Sequence, residues 1–205
     1  DVDNTGELSV SVPCGTMYGK TEDLIIVGAH HDTVYHGPGA VDDTSGTASV
    51  LEMARQIAII ANESGTPEYT IRFCTWGGEE EGLWGSKAYV NANGNELARN
   101  LRLYINLDMN HVDIDMANRG NSLRFFSNSK TDINHVSDIV DLLNDEQSSV
   151  FSKYSVTLTK ETTMPYNSDH GPFVYDLPDS VEGNALVCYG SGSWEYHTYK
   201  DDMSR

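Results

Sequence analysis

The run Leu24–His30 (LIIVGAH) constrains this chain more than any other segment. It is apolar without alternation until its last residue, a histidine. A strand that is apolar on both faces belongs inside a sheet covered on both sides, which is the environment of a parallel sheet. Two more segments repeat the arrangement. Tyr69–Trp76 (YTIRFCTW) is rich in β-branched and aromatic residues, and Leu101–Asp108 (LRLYINLD) ends in an acid. Between them lie helical patterns. Thr44–Ala61 carries Val50, Leu51, Ala54, Ile57 and Ala58 at helical spacing, with Asp43, Thr44 or Ser45 available as its cap, and Leu83–Val90 predicts a shorter helix. Further on, Ser122–Ser127, Tyr154–Thr159 and Ala185–Tyr189 predict strands, and Asp132–Phe151 predicts a helix with a stripe through Ile133, Val136, Ile139, Val140 and Leu143. This alternation predicts a three-layer α/β/α fold: a central, mostly parallel twisted sheet with helices on both faces.

In such folds ligands bind outside the carboxyl ends of the strands, so the residues at those ends carry the chemistry. The first strand ends in His30-His31-Asp32 and is followed by the loop Gly37–Asp43. The second ends in Trp76-Gly77-Gly78-Glu79-Glu80-Glu81, and the third in Asn106-Leu107-Asp108. Carboxylates crowded along one edge repel one another unless cations sit among them. Imidazole and carboxylate without thiolate suit zinc, manganese or cobalt, and the mixed set favours zinc. One carboxylate can bridge two metals about 3.5–4 Å apart, as two-metal hydrolytic sites require. Strand alternation points His31 away from His30. Asp42 and Asp43 both remain open as the bridge, although Asp43 has a sufficient role as a helix cap. His170 and His197 both remain open as the last ligand.

The chain carries 31 Asp and Glu against 13 Lys and Arg, a formal net charge of −18. Such a surface repels phosphate backbones and excludes nucleic acid as an expected partner. No run of about 18 apolar residues predicts a membrane span. Cys14, Cys74 and Cys188 are widely spaced with no CxxC pair; Cys74 lies in a strand pattern and reads as a small core residue, and one disulfide is possible but cannot be placed.

The segments GAHHD, the glycine-rich loop ending in DDTSG, WGGEEEGLWGS, INLDM, SDHGPF and WEYHT occur in this order from about residue 24 to the C-terminus. Together they resemble the co-catalytic di-zinc aminopeptidase family of clan MH, the zinc-dependent exopeptidases. The resemblance implies a zinc-exopeptidase (phosphorylase/hydrolase-like) fold and two zinc ions. His30 and Asp108 would hold one ion, Glu80 and His197 the other, and Asp42 would bridge them. Glu79 would be the general base for the attacking water, and Asp32 would hydrogen-bond the second ring nitrogen of His30. Tyr196 would contact the substrate carbonyl, and His170 would either support the ligands from behind or line the pocket. The resemblance also makes Asp42–Asp43 the place to expect a cis peptide. It implies removal of amino-terminal residues from peptides, with carboxypeptidase, dipeptidase or glutaminyl cyclase activity on the same scaffold, or a non-catalytic metal-binding domain, as alternatives. It also implies a peptide substrate, a monomer by default, an exported protein, and a single catalytic domain over 1–205 that is shorter at both ends than its relatives. Asn167 stands where some family members carry a basic residue.

Overall fold

The computed structural model describes residues 9–111, 122–127, 141–142, 144–145, 157–161, 164–177, 185–189 and 195–204. Its strands are β1 (Cys14–Met17), β2 (Leu24–His30), β3 (Thr70–Trp76), β4 (Leu101–Asp108), β5 (Ser122–Ser127), β6 (Thr157–Glu161) and β7 (Ala185–Tyr189); its helices are α1 (Thr44–Ser64), α2 (Trp84–Asn100) and α3 (His170–Tyr175). The strands form one sheet in the order β1-β3-β2-β4-β7-β5-β6. The centre is parallel, as predicted, through the pairs β2/β3, β2/β4 and β4/β7. The antiparallel pairs β1/β3 and β5/β7 make the sheet mixed.

Alternation along each central strand sends side chains into two cores. On one face Val27, Ala29, Phe73 and Leu107 meet Val50 of α1. On the other, Leu24, Ile26, Trp76 and Tyr104 meet Val90 and Leu97 of α2 and Phe173 and Val174 of α3. Tyr104 stacks on Phe173 with ring centroids 4.0 Å apart. Gly28 of β2 belongs to this second face: a side chain there would collide with the Trp76 indole nitrogen and the Tyr104 hydroxyl. The absent Cβ lets Trp76 donate to Tyr104 (2.8 Å) and Tyr104 donate to Asn106 Oδ1 (2.6 Å) across the buried strands.

Several boundaries differ from the sequence reading. Helix α2 runs to Asn100, well past Val90, because Leu97 is fully buried in the core although its Asn- and Gly-rich surroundings disfavour a helix. Strand β6 is displaced toward the C-terminus of Tyr154–Thr159. The predicted helix Asp132–Phe151 lies outside the described residues apart from residues 141, 142, 144 and 145, which are helical. Cys74 is a buried core residue, as expected. It is disulfide-bonded to Cys14, its register partner across the antiparallel β1/β3 pair. Trp76 is core, as expected, Trp84 is exposed, and Trp194 lies outside the described residues.

Candidate metal centre and active site

The order β3-β2-β4 determines the site. Neighbouring strands lie about 4.8 Å apart, so the carboxyl ends of three parallel strands bring His30, the Gly77–Glu80 turn and Asp108 together. His30 pairs in register with Trp76, three residues before Glu79. The loop after β2 then returns to place Asp42 and Asp43 over the same edge.

Asp43 is the local organiser. Its buried carboxylate caps α1 by accepting from Gly46 N (3.0 Å) and also accepts from His30 N (3.2 Å) and Met109 N (2.9 Å). One side chain therefore ties the end of β2, the start of α1 and the end of β4. Gly46 is required beside it, because a side chain there would strike the Asp43 carboxylate and the Leu107 carbonyl. The Asp42–Asp43 peptide is cis.

The two oxygens of Asp42 face different histidines. Oδ1 lies 3.1 Å from His30 Nε2, and Oδ2 lies 3.2 Å from His197 Nε2. His30 Nε2 is also 3.9 Å from Asp108 Oδ1, and His197 Nε2 is 3.1 Å from Glu80 Oε2. Two groups of donor atoms result, His30/Asp42/Asp108 and Asp42/Glu80/His197, and each has its atoms within 4.8 Å of one another. They share Asp42. A third such group is His30, Glu79 and Glu80. Glu81 is exposed.

The donor set fits divalent cations. Burial, followed by repulsion from Asp169, Asp108 and Glu80, outweighs His30 and pushes the Glu79 carboxyl up to about 9. Burial and then the neighbouring Asp42 raise Glu80 to about 7, and burial raises Asp108. Burial pulls His30 down, but its contact with Asp42 and the charges of Asp43, Asp108 and Glu79 outweigh this and hold it up to about 11. Cations would take the place of the protons that such a cluster otherwise retains. Glu80 Oε1 is buried and has no hydrogen-bond partner, so it leaves an acceptor free for an ion.

Support around these residues differs from expectation at two positions. The Asp32 carboxylate does not bond the His30 ring; its nearer oxygen is 3.7 Å away. The ring Nδ1 lies 3.0 Å from the Asp32 backbone carbonyl, to which Nδ1–H donates. The carboxylate instead accepts from Glu79 N and Glu80 N, both at 3.1 Å, and so fixes the turn that carries them. The Asp32 carbonyl thus faces the ring while its carboxylate faces the turn after β3. His170 does not line a pocket. It is fully buried at the start of α3, its Nε2–H donates to the Pro165 carbonyl (2.6 Å), and burial lowers it to about 4.

Tyr196 is half-exposed and its ring stacks on His197 at 3.7 Å between centroids. His31, His36 and His111 are exposed, and His135 lies outside the described residues.

Three contributions escaped the sequence reading. Ser168 accepts from Asn106 Nδ2 (2.9 Å), which extends the Trp76–Tyr104–Asn106 chain to the SDHGPF segment. Buried Asp169 accepts from Ser86 and adds negative charge near Glu79. Both belong to SDHGPF, where the histidine drew attention away from its neighbours. Asp201 holds the Asp42 loop from far away in sequence, and no local pattern announces it.

The family model for peptidase family M28 matches residues 14–205. An aminopeptidase of Pseudomonas aeruginosa is 39% identical over 99 residues, 48% of this chain and 18% of that protein. Among solved structures, the zinc aminopeptidase BSAP of Bacillus subtilis superposes with a TM-score of 0.68 at 26% identity, covering 92% of this chain and 43% of that one. The aminopeptidase of Aneurinibacillus sp. strain AM-1 gives 0.66 at 28% identity, covering 92% and 41%. The chain thus spans less than half the length of each of these relatives. Because the family match runs from the first strand through the C-terminal segment, the chain belongs to peptidase family M28.

Proposed function

We propose that this chain carries the catalytic centre of a zinc aminopeptidase, which removes residues from the free amino terminus of peptides. The observation that carries the reading is the sharing of Asp42: each of its oxygens faces one histidine, and each histidine has a further carboxylate of its own beside it. This favours two ions, one held by His30, Asp42 and Asp108 and the other by Asp42, Glu80 and His197. When bound, zinc polarises the scissile carbonyl and makes water acidic enough to be a nucleophile at neutral pH. The protein's own share is positioning and proton transfer. Glu79, half-buried beside His30 and Glu80, accepts the proton of the attacking water and delivers it to the leaving amine. Asp32, through the amides of Glu79 and Glu80, keeps base and ligand on the same turn. Tyr196, held against His197, offers its hydroxyl to the substrate carbonyl oxygen.

The amino-terminal preference draws support from charge and from the related aminopeptidases. Asn167, rather than a base, precedes Ser168, and the described Arg72 and Arg102 are engaged with Glu96 and Asp23. A protonated amine suits this acidic edge better than a substrate carboxylate. The Cys14–Cys74 disulfide supports folding in an oxidising, extracytoplasmic compartment.

Glu79→Gln tests the mechanism. We expect zinc content to stay unchanged and kcat to fall by about 10²–10⁴; full activity in this variant would remove Glu79 from the role. Aminoacyl-nitroanilides set against N-blocked peptides test the substrate class, and cleavage of blocked substrates alone would exclude an aminopeptidase.

A further inference from the structure

Asp201 is almost wholly buried although it is an acid in a chain of net charge −18. A buried carboxylate needs donors, and its donors are the backbone of the Asp42 loop. Val41 N donates to Oδ1 at 2.7 Å and Asp42 N to Oδ2 at 3.0 Å. Ala40 N donates to the Asp201 backbone carbonyl at 3.0 Å. Three consecutive amides thus converge on one residue, two of them through charge-assisted hydrogen bonds.

The same residue closes the segment that presents His197. Thr198 N donates to the Glu195 carbonyl (2.8 Å) and Asp201 N to the Thr198 carbonyl (3.2 Å), which folds Glu195–Asp201 into consecutive turns around a left-handed His197 (φ 58°). Asp42 and His197 come from opposite ends of the chain, and Asp201 fixes the distance between them. His30 and Asp108 have no such need. They end paired neighbouring strands and are tied by Asp43 through His30 N and Met109 N.

We propose that Asp201 is a positioning residue chiefly for one half of the centre: it sets Asp42 and His197 to face the same cation, so the Asp42/Glu80/His197 ion, two of whose ligands it places, depends on it more than the His30/Asp42/Asp108 ion, which shares only Asp42. This rests on the ligand set proposed above. The carboxylate is suited to the task because it accepts two amides at once. A carboxamide has one acceptor and would turn its NH₂ on the second amide.

The test is an equilibrium Zn²⁺ titration of the full chain against a chromophoric chelator, comparing the parent with Asp201→Asn and His197→Asn; asparagine tolerates the left-handed backbone at 197. We expect two binding phases in the parent, loss of one in His197→Asn, and weakening of that same phase by about 10–100-fold in Asp201→Asn, with the other weakened less through the shared Asp42. A merely structural role would weaken both phases equally and overturn the proposal. If His197→Asn loses a phase and Asp201→Asn changes neither, the proposal fails while the ligand set stands. If His197→Asn also changes neither, the ligand set fails and the proposal with it. Should Asp201→Asn not fold, amide hydrogen exchange in the metal-free parent decides: protected Val41 and Asp42 amides support the proposal, and free exchange at both overturns it.

Discussion

The two halves of the centre are built differently. His30 and Asp108 end buried, paired strands, and beneath them run the Asp43 carboxylate and the Trp76–Tyr104–Asn106–Ser168 hydrogen-bond chain. His197 projects from an irregular segment, leaves two-fifths of its side chain exposed, and stacks on a half-exposed Tyr196. The first half is part of the core, so its geometry exists before any ion arrives. The second is held by a few hydrogen bonds to a loop. Stability and metal binding should therefore be inseparable in the strand half and separable in the C-terminal half.

Asp43→Ala should break the strand half most severely. It strands three backbone amides at once, at about 1–3 kcal/mol for each buried unsatisfied group, so urea unfolding of the metal-free chain should show a loss of at least ~3 kcal/mol. A loss below ~1 kcal/mol would mean that water or relaxation satisfies those amides. Tyr104→Phe should cost less, about 2 kcal/mol, because it removes the acceptor of Trp76 Nε1 and the donor to Asn106 while keeping the ring against Phe173. Its unfolding midpoint checks this, and an unchanged midpoint would remove the chain of hydrogen bonds from the account. His197→Asn should move the metal-free midpoint least, by less than ~0.5 kcal/mol, as expected of a partly exposed position. An effect as large as that of Asp43→Ala would erase the contrast between the halves.

The same contrast explains what was legible in the sequence. The strand half could be read because strand-type segments end in ligand types: LIIVGAH, apolar up to its last residue, ends in His30, and LRLYINLD ends in Asp108. Periodicity also separated His30 from His31, which is exposed. Choosing Asp42 and His197 over their competitors took a family resemblance, since neither lies in a periodic segment. In the structure the Asp43 carboxylate is occupied by amides and His170 is buried against Pro165. Pairings of distant residues were beyond local pattern. The Cys14–Cys74 bond needs the β1/β3 register, the antiparallel β1/β3 and β5/β7 pairs need the strand order, and Asp201 acts across 159 positions. Asp32 illustrates a subtler limit: its place beside His30 was readable, but whether its carbonyl or its carboxylate would serve the ring depended on the amides of Glu79 and Glu80, which take the carboxylate.

The central claim is that Asp42 is shared between two ions. Anomalous diffraction at the zinc edge from crystals grown with zinc tests it most directly. The account predicts two peaks about 3.5–4 Å apart on either side of the Asp42 carboxylate, one beside His30 and Asp108 and the other beside Glu80 and His197. A single peak at full zinc loading, or a second peak away from Asp42, would contradict it.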